Sequence, residues 1–248
     1  MLKSLNRESK AVSDAFSELT KDITSLGFDA VLYSFFPRPM YINAKIQPVL
    51  HFSEAFAPFV SNYLTNDYGN RDFILRLALE GRQGTVDWWE EINSGNVTKE
   101  EQEVTIDAKQ NFGIHHGLSI PILSGSFAIS GISVISKNPD LSHFQEIKEQ
   151  SLDALKELAS DYHTKIIMSQ NDVRFFVLPL IEQLNDTKKK VIKHLMSGKP
   201  MKNISDTYGG LTPRYAEKVV IEIRKEFGDI SKNELIYILG MIHVHQFL

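Results

Sequence analysis

The sequence contains no cysteine, which excludes disulfide bonds, thiolate metal sites and cysteine nucleophiles. It also lacks long apolar runs, since a stretch such as "FFVLPLI" (Phe175–Ile181) is far shorter than the roughly 20 residues that cross a bilayer. The first residues, "MLKSLNRESKAVSDAF", are polar and charged where a signal peptide would need an apolar segment. These absences predict a cytoplasmic protein that does not enter a membrane.

Tryptophan is scarce as well, and the 2 tryptophans of the chain are adjacent in "DFILRLALEGRQGTVDWW", which runs from Asp72 to Trp89. One interpretation is that both indoles anchor a core while Asp72 caps a helix, which is a common position for aspartate. The other is that an acceptor and an indole enclose a small molecule. The spacing leaves both open.

Patterns that would indicate an enzyme are missing, because the sequence has no nucleophile elbow, no phosphate-binding glycine loop and no HExxH. Two histidine pairs suggest a metal, but their spacing is unsuitable. His115 and His116 are neighbours on a predicted strand and point to opposite faces, whereas His243 and His245 are two apart on a predicted helix. We therefore expect no catalytic residue, no metal and no cofactor.

Apolar periodicity predicts an α+β fold for the first two thirds of the chain. Helical stripes lie at Glu8–Leu26 and in the long segment His143–Met168, while "FDAVLYSFFP" is rich in strand-forming residues. Two β-rich runs, His116–Leu123 and Phe127–Ser136, are joined by "SGS", which indicates a hairpin. We expect an α/β/α sandwich sensor domain with a mainly antiparallel sheet at residues 1–170.

The pattern of the remaining chain changes from mixed strands and helices to short helices. It predicts a linker at 171–182 and a domain of short helices at 183–248. Thr212 followed by Pro213 marks a helix start. Residues 1–180 are acidic on balance, whereas residues 181–248 are basic on balance. This order of helices is typical of a helix-turn-helix domain, and the basic balance fits DNA, although a solvated lysine face would produce the same charge.

Specific segments resemble the LuxR-type quorum-sensing regulators. In the first half they are "FVSNYLTNDYGNRD", "TVDWW", "FGIHHGLSIPIL" and "SGISVIS", and in the second half "LNDTKKKVIKHLMSGKPMKNI" and "TPRYAEKVVIEIRKEFGDISKNEL". The resemblance implies an autoinducer-binding domain followed by a LuxR-type helix-turn-helix. It also implies a homodimer that binds DNA and a small signal, such as an acyl-homoserine lactone.

The resemblance further implies a ligand site. In that family the aspartate at the position of Asp72 accepts the amide N–H of the signal, and the tryptophan matching Trp88 covers the head group. The tyrosine matching Tyr63 lines the pocket, and a hydroxyl matching Ser133 reaches the acyl carbonyl. The predicted ligand-binding residues are Phe59, Tyr63, Asp72, Ile74, Trp88 and Ser133.

Departures from the family pattern suggest a non-standard signal. Phe59 occupies the place of a tryptophan that donates to the lactone carbonyl, and Ala55 that of a tyrosine. Phe73 and Ile74 replace a proline and a small polar residue. Each buried acceptor left unpaired would cost the ligand roughly 1–3 kcal/mol.

The second half departs as well, because Lys188 replaces a near-invariant glutamate and Glu217 replaces a lysine. We interpret Lys188–Lys190 as a solvated helix face. The predicted DNA-binding residues are Lys199, Thr212, Arg214, Tyr215, Lys218 and Arg224. The alternative is a degenerate family member that acts through protein–protein interaction, with weak or no binding of ligand or DNA.

Overall fold

The computed structural model describes residues 10–37, 48–124, 128–168 and 184–248, the last range without 228, 242–243 and 245–247. Two compact units are found, one containing residues 10–35 and 49–168 and the other containing residues 184–248. The predicted linker at 171–182, and His243 and His245, lie outside the described residues.

A five-stranded sheet in the order β2-β1-β5-β4-β3 forms the centre of the first unit. Its strands are β1 (Ala30–Pro37), β2 (Val49–Phe52), β3 (Val86–Asp87), β4 (His116–Ser124) and β5 (Ala128–Ser136). The pairs β1–β2, β3–β4 and β4–β5 are antiparallel, which confirms the predicted sheet and places β4 beside β5 as expected for a hairpin. Ser119 of β4 lies directly opposite Ser133 of β5.

The helices of the first unit are α1 (Lys10–Ser25), α2 (Ala57–Thr65), α3 (Phe73–Leu79), α4 (Trp88–Asn93), α5 (Lys99–Phe112) and α6 (Leu141–Met168). Local signals explain their ends. The Thr98 and Glu101 side chains form a capping box at the start of α5, and Gly113 ends it in a left-handed conformation at φ 67°. The sequence analysis missed β2, β3 and α4, because elements of two to six residues are too short to show a period.

Helices cover both faces of the sheet. Alternate residues of a strand point to opposite faces, and Ser130 contacts α6 whereas Ser133 belongs to the face under α4. α6 packs on β4 and β5, and α3 also packs on these two strands. The first unit is therefore mixed α and β, with an antiparallel sheet between helices.

The face under α6 contains a cluster of buried rings. His163 Nδ1 lies 2.9 Å from the Tyr33 hydroxyl, and His51 Nδ1 lies 2.5 Å from the Tyr162 hydroxyl. Tyr33, His51 and Tyr162 are each less than 5% exposed. Burial lowers the pKa of His51 and that of His163 to about 4, because it disfavours the charged imidazolium.

Helices alone form the described part of the second unit: α7 (Asp186–Met196), α8 (Ile204–Thr207), α9 (Pro213–Glu226) and α10 (Lys232–Met241), with a 3₁₀ turn at Met201–Asn203 leading into α8. The predicted start of α9 is confirmed, since the Thr212 hydroxyl accepts from Tyr215 N at 3.2 Å and Pro213 is the first helical residue. Buried residues such as Val191, Val219 and Leu235 form its core. That this unit is a DNA-binding helix-turn-helix remains a prediction.

Acidification should destabilise the first unit through its buried histidines. A histidine with a pKa near 6.5 when unfolded and about 4 when folded takes up its proton first in the unfolded chain. Their effect on stability should therefore be flat above about pH 6.5, with a loss of roughly 2 kcal/mol per histidine by about pH 5. Urea titrations of the full chain followed by tryptophan fluorescence measure this, since both tryptophans lie in the first unit.

The His51→Gln variant should lose about 2 kcal/mol less than the wild type between about pH 7 and pH 5. His143→Gln is the matched control, because His143 is exposed, and should show the wild-type loss. Equal losses in His51→Gln and the wild type would show that the buried imidazole does not cause the acid sensitivity.

Candidate ligand-binding site

Asp72 stands at the start of α3, where its side chain has two separate partners. Its Oδ1 accepts from Ile74 N at 2.8 Å, which caps the helix, and its Oδ2 accepts from the Tyr63 hydroxyl at 2.7 Å. Desolvation by burial raises the pKa of Asp72, although the bonds from Tyr63 and Ile74 act in the opposite direction. The capping interpretation is thus correct, but one carboxylate oxygen faces a tyrosine instead of water.

Polar contacts hold α3 in place. Arg76 Nε donates to Glu101 Oε1 at 2.6 Å, and Arg76 also donates to Asn96 O at 3.0 Å. The Glu101 side chain is only 9% exposed and belongs to the capping box of α5. Because α3 is anchored to α5 one turn after Asp72 and also packs on β4 and β5, the carboxylate has a fixed position relative to the sheet.

Tyr63 lies on α2 within a group of aromatic rings. The ring of Phe59 is 6.0 Å from that of Tyr63 and 5.5 Å from that of Phe112, and Phe59 is 6% exposed. Phe59 therefore contributes an apolar surface with no hydrogen-bond donor. Ala55 is exposed, so it does not line the interior.

Trp88 begins α4, where the Asp87 side chain caps the helix by accepting from Trp89 N and Glu90 N. Trp88 is 5% exposed. Its indole lies flat against Gly117 of β4, where an added Cβ would come within 2.2 Å of the ring. Its Nε1 donates to Ser119 Oγ at 2.9 Å, and Ser119 Oγ is 2.8 Å from Ser133 Oγ.

Ser119 was missed by the sequence analysis. It lies two residues after Gly117 on β4, so it is on the same face as the Trp88 ring, and it is directly opposite Ser133. Alternation along the hairpin, together with the register, would have identified it.

Trp89 has a different role from its neighbour. Its Nε1 donates to His115 O at 2.7 Å, and Lys109 Nζ stands 4.8 Å above its ring. Trp89 thus fixes α4 to the start of β4, while Trp88 covers the sheet. The adjacent tryptophans are explained by these two functions of one short helix.

The predicted ligand residues fall into two groups. Phe59, Tyr63, Asp72 and Ile74 are joined through the Tyr63–Asp72 bond and the cap of α3, while Trp88 and Ser133 are joined through Ser119. α3 packs against β4 and β5, the strands that carry Ser119 and Ser133. Tyr63, Asp72, Ile74 and Ser133 are partly exposed, whereas Phe59 and Trp88 are buried.

The predicted DNA-binding residues occupy several positions in the second unit. Arg214, Tyr215 and Lys218 are exposed on α9, and Lys199 is exposed before the 3₁₀ turn. Arg224 is half-buried and its Nε donates to Ile230 O at 2.6 Å, so part of its guanidinium braces the end of α9.

The two departures in this unit have partners. The Lys188 side chain is 14% exposed and forms an ion pair with Glu226 of α9. Our interpretation of Lys188 as solvated was therefore wrong, because the ion pair holds the ammonium group against α9. Glu217 Oε1 lies 3.5 Å from Lys232 Nζ of α10.

Within the described residues, no cluster of histidine and carboxylate side chains has the arrangement of a metal site, and no helix is long and apolar enough to span a membrane. His116 instead stacks on Phe144, with ring centroids 4.7 Å apart.

Comparison with known proteins identifies the first unit. The sequence profile of the autoinducer binding domain matches residues 11–166, which is more than half of the chain. The chain therefore belongs to the autoinducer-binding-domain family of LuxR-type receptors, which confirms the resemblance of its first half. No curated protein matches the chain.

Solved structures are similar at low identity. Escherichia coli SdiA matches with 14% identity and a TM-score of 0.48, over 98% of this chain and 95% of SdiA. The N-acylhomoserine-lactone-dependent LuxR family transcription factor CepR2 of Burkholderia cenocepacia matches with 16% identity and a TM-score of 0.46, over 65% and 89%. The VqsR ligand-binding domain of Pseudomonas aeruginosa matches with 12% identity and a TM-score of 0.41, over 62% and 96%.

Replacing Gly117 by alanine should disturb the site specifically. The new methyl group would overlap the Trp88 ring, so we expect a loss of about 1–3 kcal/mol in the free energy of unfolding and a shifted tryptophan emission. Gly84→Ala is the matched control, since nothing lies within 4 Å of its added Cβ. If chemical denaturation gives both variants wild-type stability, the Trp88 ring does not rest on Gly117.

Proposed function

We propose that this protein is a ligand-responsive transcriptional regulator of the quorum-sensing type. Its first unit binds an acyl-homoserine lactone or a related small amphiphile, and its second unit binds DNA. No enzymatic activity is proposed. The observation that carries the proposal is the desolvated Asp72 carboxylate, paired with Tyr63 inside a family domain defined by small-signal binding.

Asp72 is suited to a ligand that donates a hydrogen bond. A buried carboxylate is costly unless donors surround it, and the donors from Tyr63 and from the start of α3 leave lone-pair capacity on the Asp72 oxygens. An amide N–H is such a donor, and the apolar ring of Phe59 nearby would exclude water and strengthen the bond.

The head group of the signal should have few acceptors. The indole N–H of Trp88 is engaged with Ser119, that of Trp89 with His115 O, and the Tyr63 hydroxyl with Asp72. Phe59 and Phe112, which pack beside Tyr63, have no hydrogen-bond donor in their side chains. This favours a signal whose ring adds few acceptors to its amide, so a homoserine lactone should bind, but more weakly than an amide that lacks the lactone carbonyl.

Replacing Asp72 by asparagine should abolish ligand-induced stabilisation while the unliganded fold survives. Asparagine can still cap α3, but its amide cannot offer a charged acceptor to the ligand. Thermal unfolding of the full chain with and without N-octanoyl-homoserine lactone measures the effect. We expect a clear rise in melting temperature for the wild type and none for the variant.

Asp140→Asn provides the control, since Asp140 also accepts from helix-start amides, Ser142 N and His143 N, but is exposed at the start of α6. It should respond to ligand as the wild type does. An undiminished rise in melting temperature for Asp72→Asn would remove the assigned role of Asp72.

The DNA-binding part of the proposal is supported by one stripe on α9. Arg214, Lys218 and Lys225 are exposed and spaced at helical intervals along one line, with exposed Ile221 between them. Cations can contact phosphates, and an apolar side chain can contact a thymine methyl group. As a homodimer, the chain would place two such helices on half-sites about one DNA turn apart.

Binding to duplex DNA should weaken steeply between about 50 and 200 mM salt, because contacts to phosphates release counterions. Arg214→Ala should lower the salt slope by about one. Lys156→Ala, on α6 of the first unit, should leave the slope unchanged. Fluorescence anisotropy with a labelled random duplex at several salt concentrations gives the slopes.

The same titration distinguishes a second candidate function. Exposed Glu217 on α9 introduces a negative charge beside the stripe, which favours a degenerate member that acts through another protein. Negligible binding with a flat salt response would support this interaction module and contradict DNA binding.

A further inference from the structure

A chain of three hydrogen-bonding side chains lies under α4. It runs from Trp88 Nε1 to Ser119 Oγ at 2.9 Å and from Ser119 Oγ to Ser133 Oγ at 2.8 Å. Ser119 is 5% exposed, whereas Ser133 is partly exposed, so the chain leads from the buried indole to a more open position. Of the three side chains, that of Ser133 is the most exposed.

The direction of the chain follows from the chemistry of its first member. An indole N–H can only donate, so Ser119 Oγ accepts from Trp88. The buried Ser119 hydroxyl hydrogen then requires an acceptor, and in the described part of the chain its second partner is Ser133 Oγ. If Ser133 donated to Ser119 instead, that hydrogen would be left buried without a partner. The favoured order is therefore Trp88 to Ser119 to Ser133.

This order determines what Ser133 offers. Having accepted from Ser119, its hydroxyl can turn its own hydrogen outward, and a chain of aligned hydrogen bonds strengthens the last donor. Ser133 therefore offers a donor and Asp72 an acceptor, the two kinds of group that the C=O and the N–H of an amide require.

We infer that Ser119 is a positioning residue for ligand recognition: its hydroxyl, fixed by the Trp88 indole N–H, orients the Ser133 hydroxyl as a donor to an acyl carbonyl. The inference rests on the proposed ligand binding and adds to it a residue that need not touch the ligand. Gly117 complements it, since the absence of a side chain there lets the indole approach β4 closely enough to reach Ser119.

The test compares Ser119→Ala with the wild type, using two probes that differ by one atom. N-octanoyl-homoserine lactone has an acyl oxygen, and its thioamide analogue has sulfur there, which is a much weaker acceptor. Isothermal titration calorimetry of the full chain should show a three- to tenfold weaker affinity of the variant for the amide, corresponding to the loss of about one hydrogen bond. Affinity for the thioamide should change less than about twofold.

Two further variants separate positioning from general structure. Ser130→Ala removes a serine of similar burial from the opposite face of β5 and should bind both probes as the wild type does. Adding Ser119→Ala to Ser133→Ala should cost no further affinity for the amide, since Ser119 acts through Ser133. In the unliganded protein, the Trp88 indole N–H should exchange with solvent faster in Ser119→Ala than in the wild type, as measured by ¹⁵N NMR.

The outcomes separate the two proposals. A wild-type chain that binds neither probe overturns the proposed ligand class and, with it, the role of Ser119. If the wild type binds and Ser119→Ala matches it, or loses both probes equally, only the positioning role fails.

Discussion

The candidate site of the first unit depends on one partly buried, desolvated carboxylate, that of Asp72, which is held at a fixed place. Asp72 is held by a tyrosine hydroxyl from α2 and by the amide of Ile74, and α3 behind it is fastened by Arg76 to the buried Glu101 of α5. Each of these contacts joins a different helix to the same small region. A desolvated carboxylate is costly for a fold to maintain, and the Tyr63 ring beside it packs on Phe59, which is why we connect the site with ligand binding.

The sheet supplies a second polar group, formed by the Trp88 indole and the hydroxyls of Ser119 and Ser133. Trp88 packs on Gly117 and donates its indole N–H to Ser119. Trp89 donates to His115 O and so fixes α4 to the start of β4. The result is an apolar cover whose hydrogen-bonding capacity is satisfied by the protein itself. In the proposed receptor, selectivity would then come from the polar groups that can still bond to a ligand, namely Asp72 and Ser133.

Sequence patterns were sufficient for the parts of the molecule governed by local rules. The helix start at Thr212, the strand-rich hairpin and the long α6 follow from propensity and period. What could not be predicted depends on register and on contacts distant in sequence. Ser119 acquires its role only because it faces Ser133 and lies under Trp88, and Lys188 is drawn from solvent by Glu226, 38 residues later. Short elements such as α4 are fixed by the Asp87 cap and by Trp89, not by a period.

The central claim is that the first unit encloses a small organic molecule beside Asp72. Native mass spectrometry of the full chain, produced in cells supplied with N-octanoyl-homoserine lactone, tests it directly. The claim predicts a mass excess equal to one bound molecule per chain in the wild type and the bare mass in Asp72→Asn. Bare mass in both preparations, or the same excess in both, would contradict it.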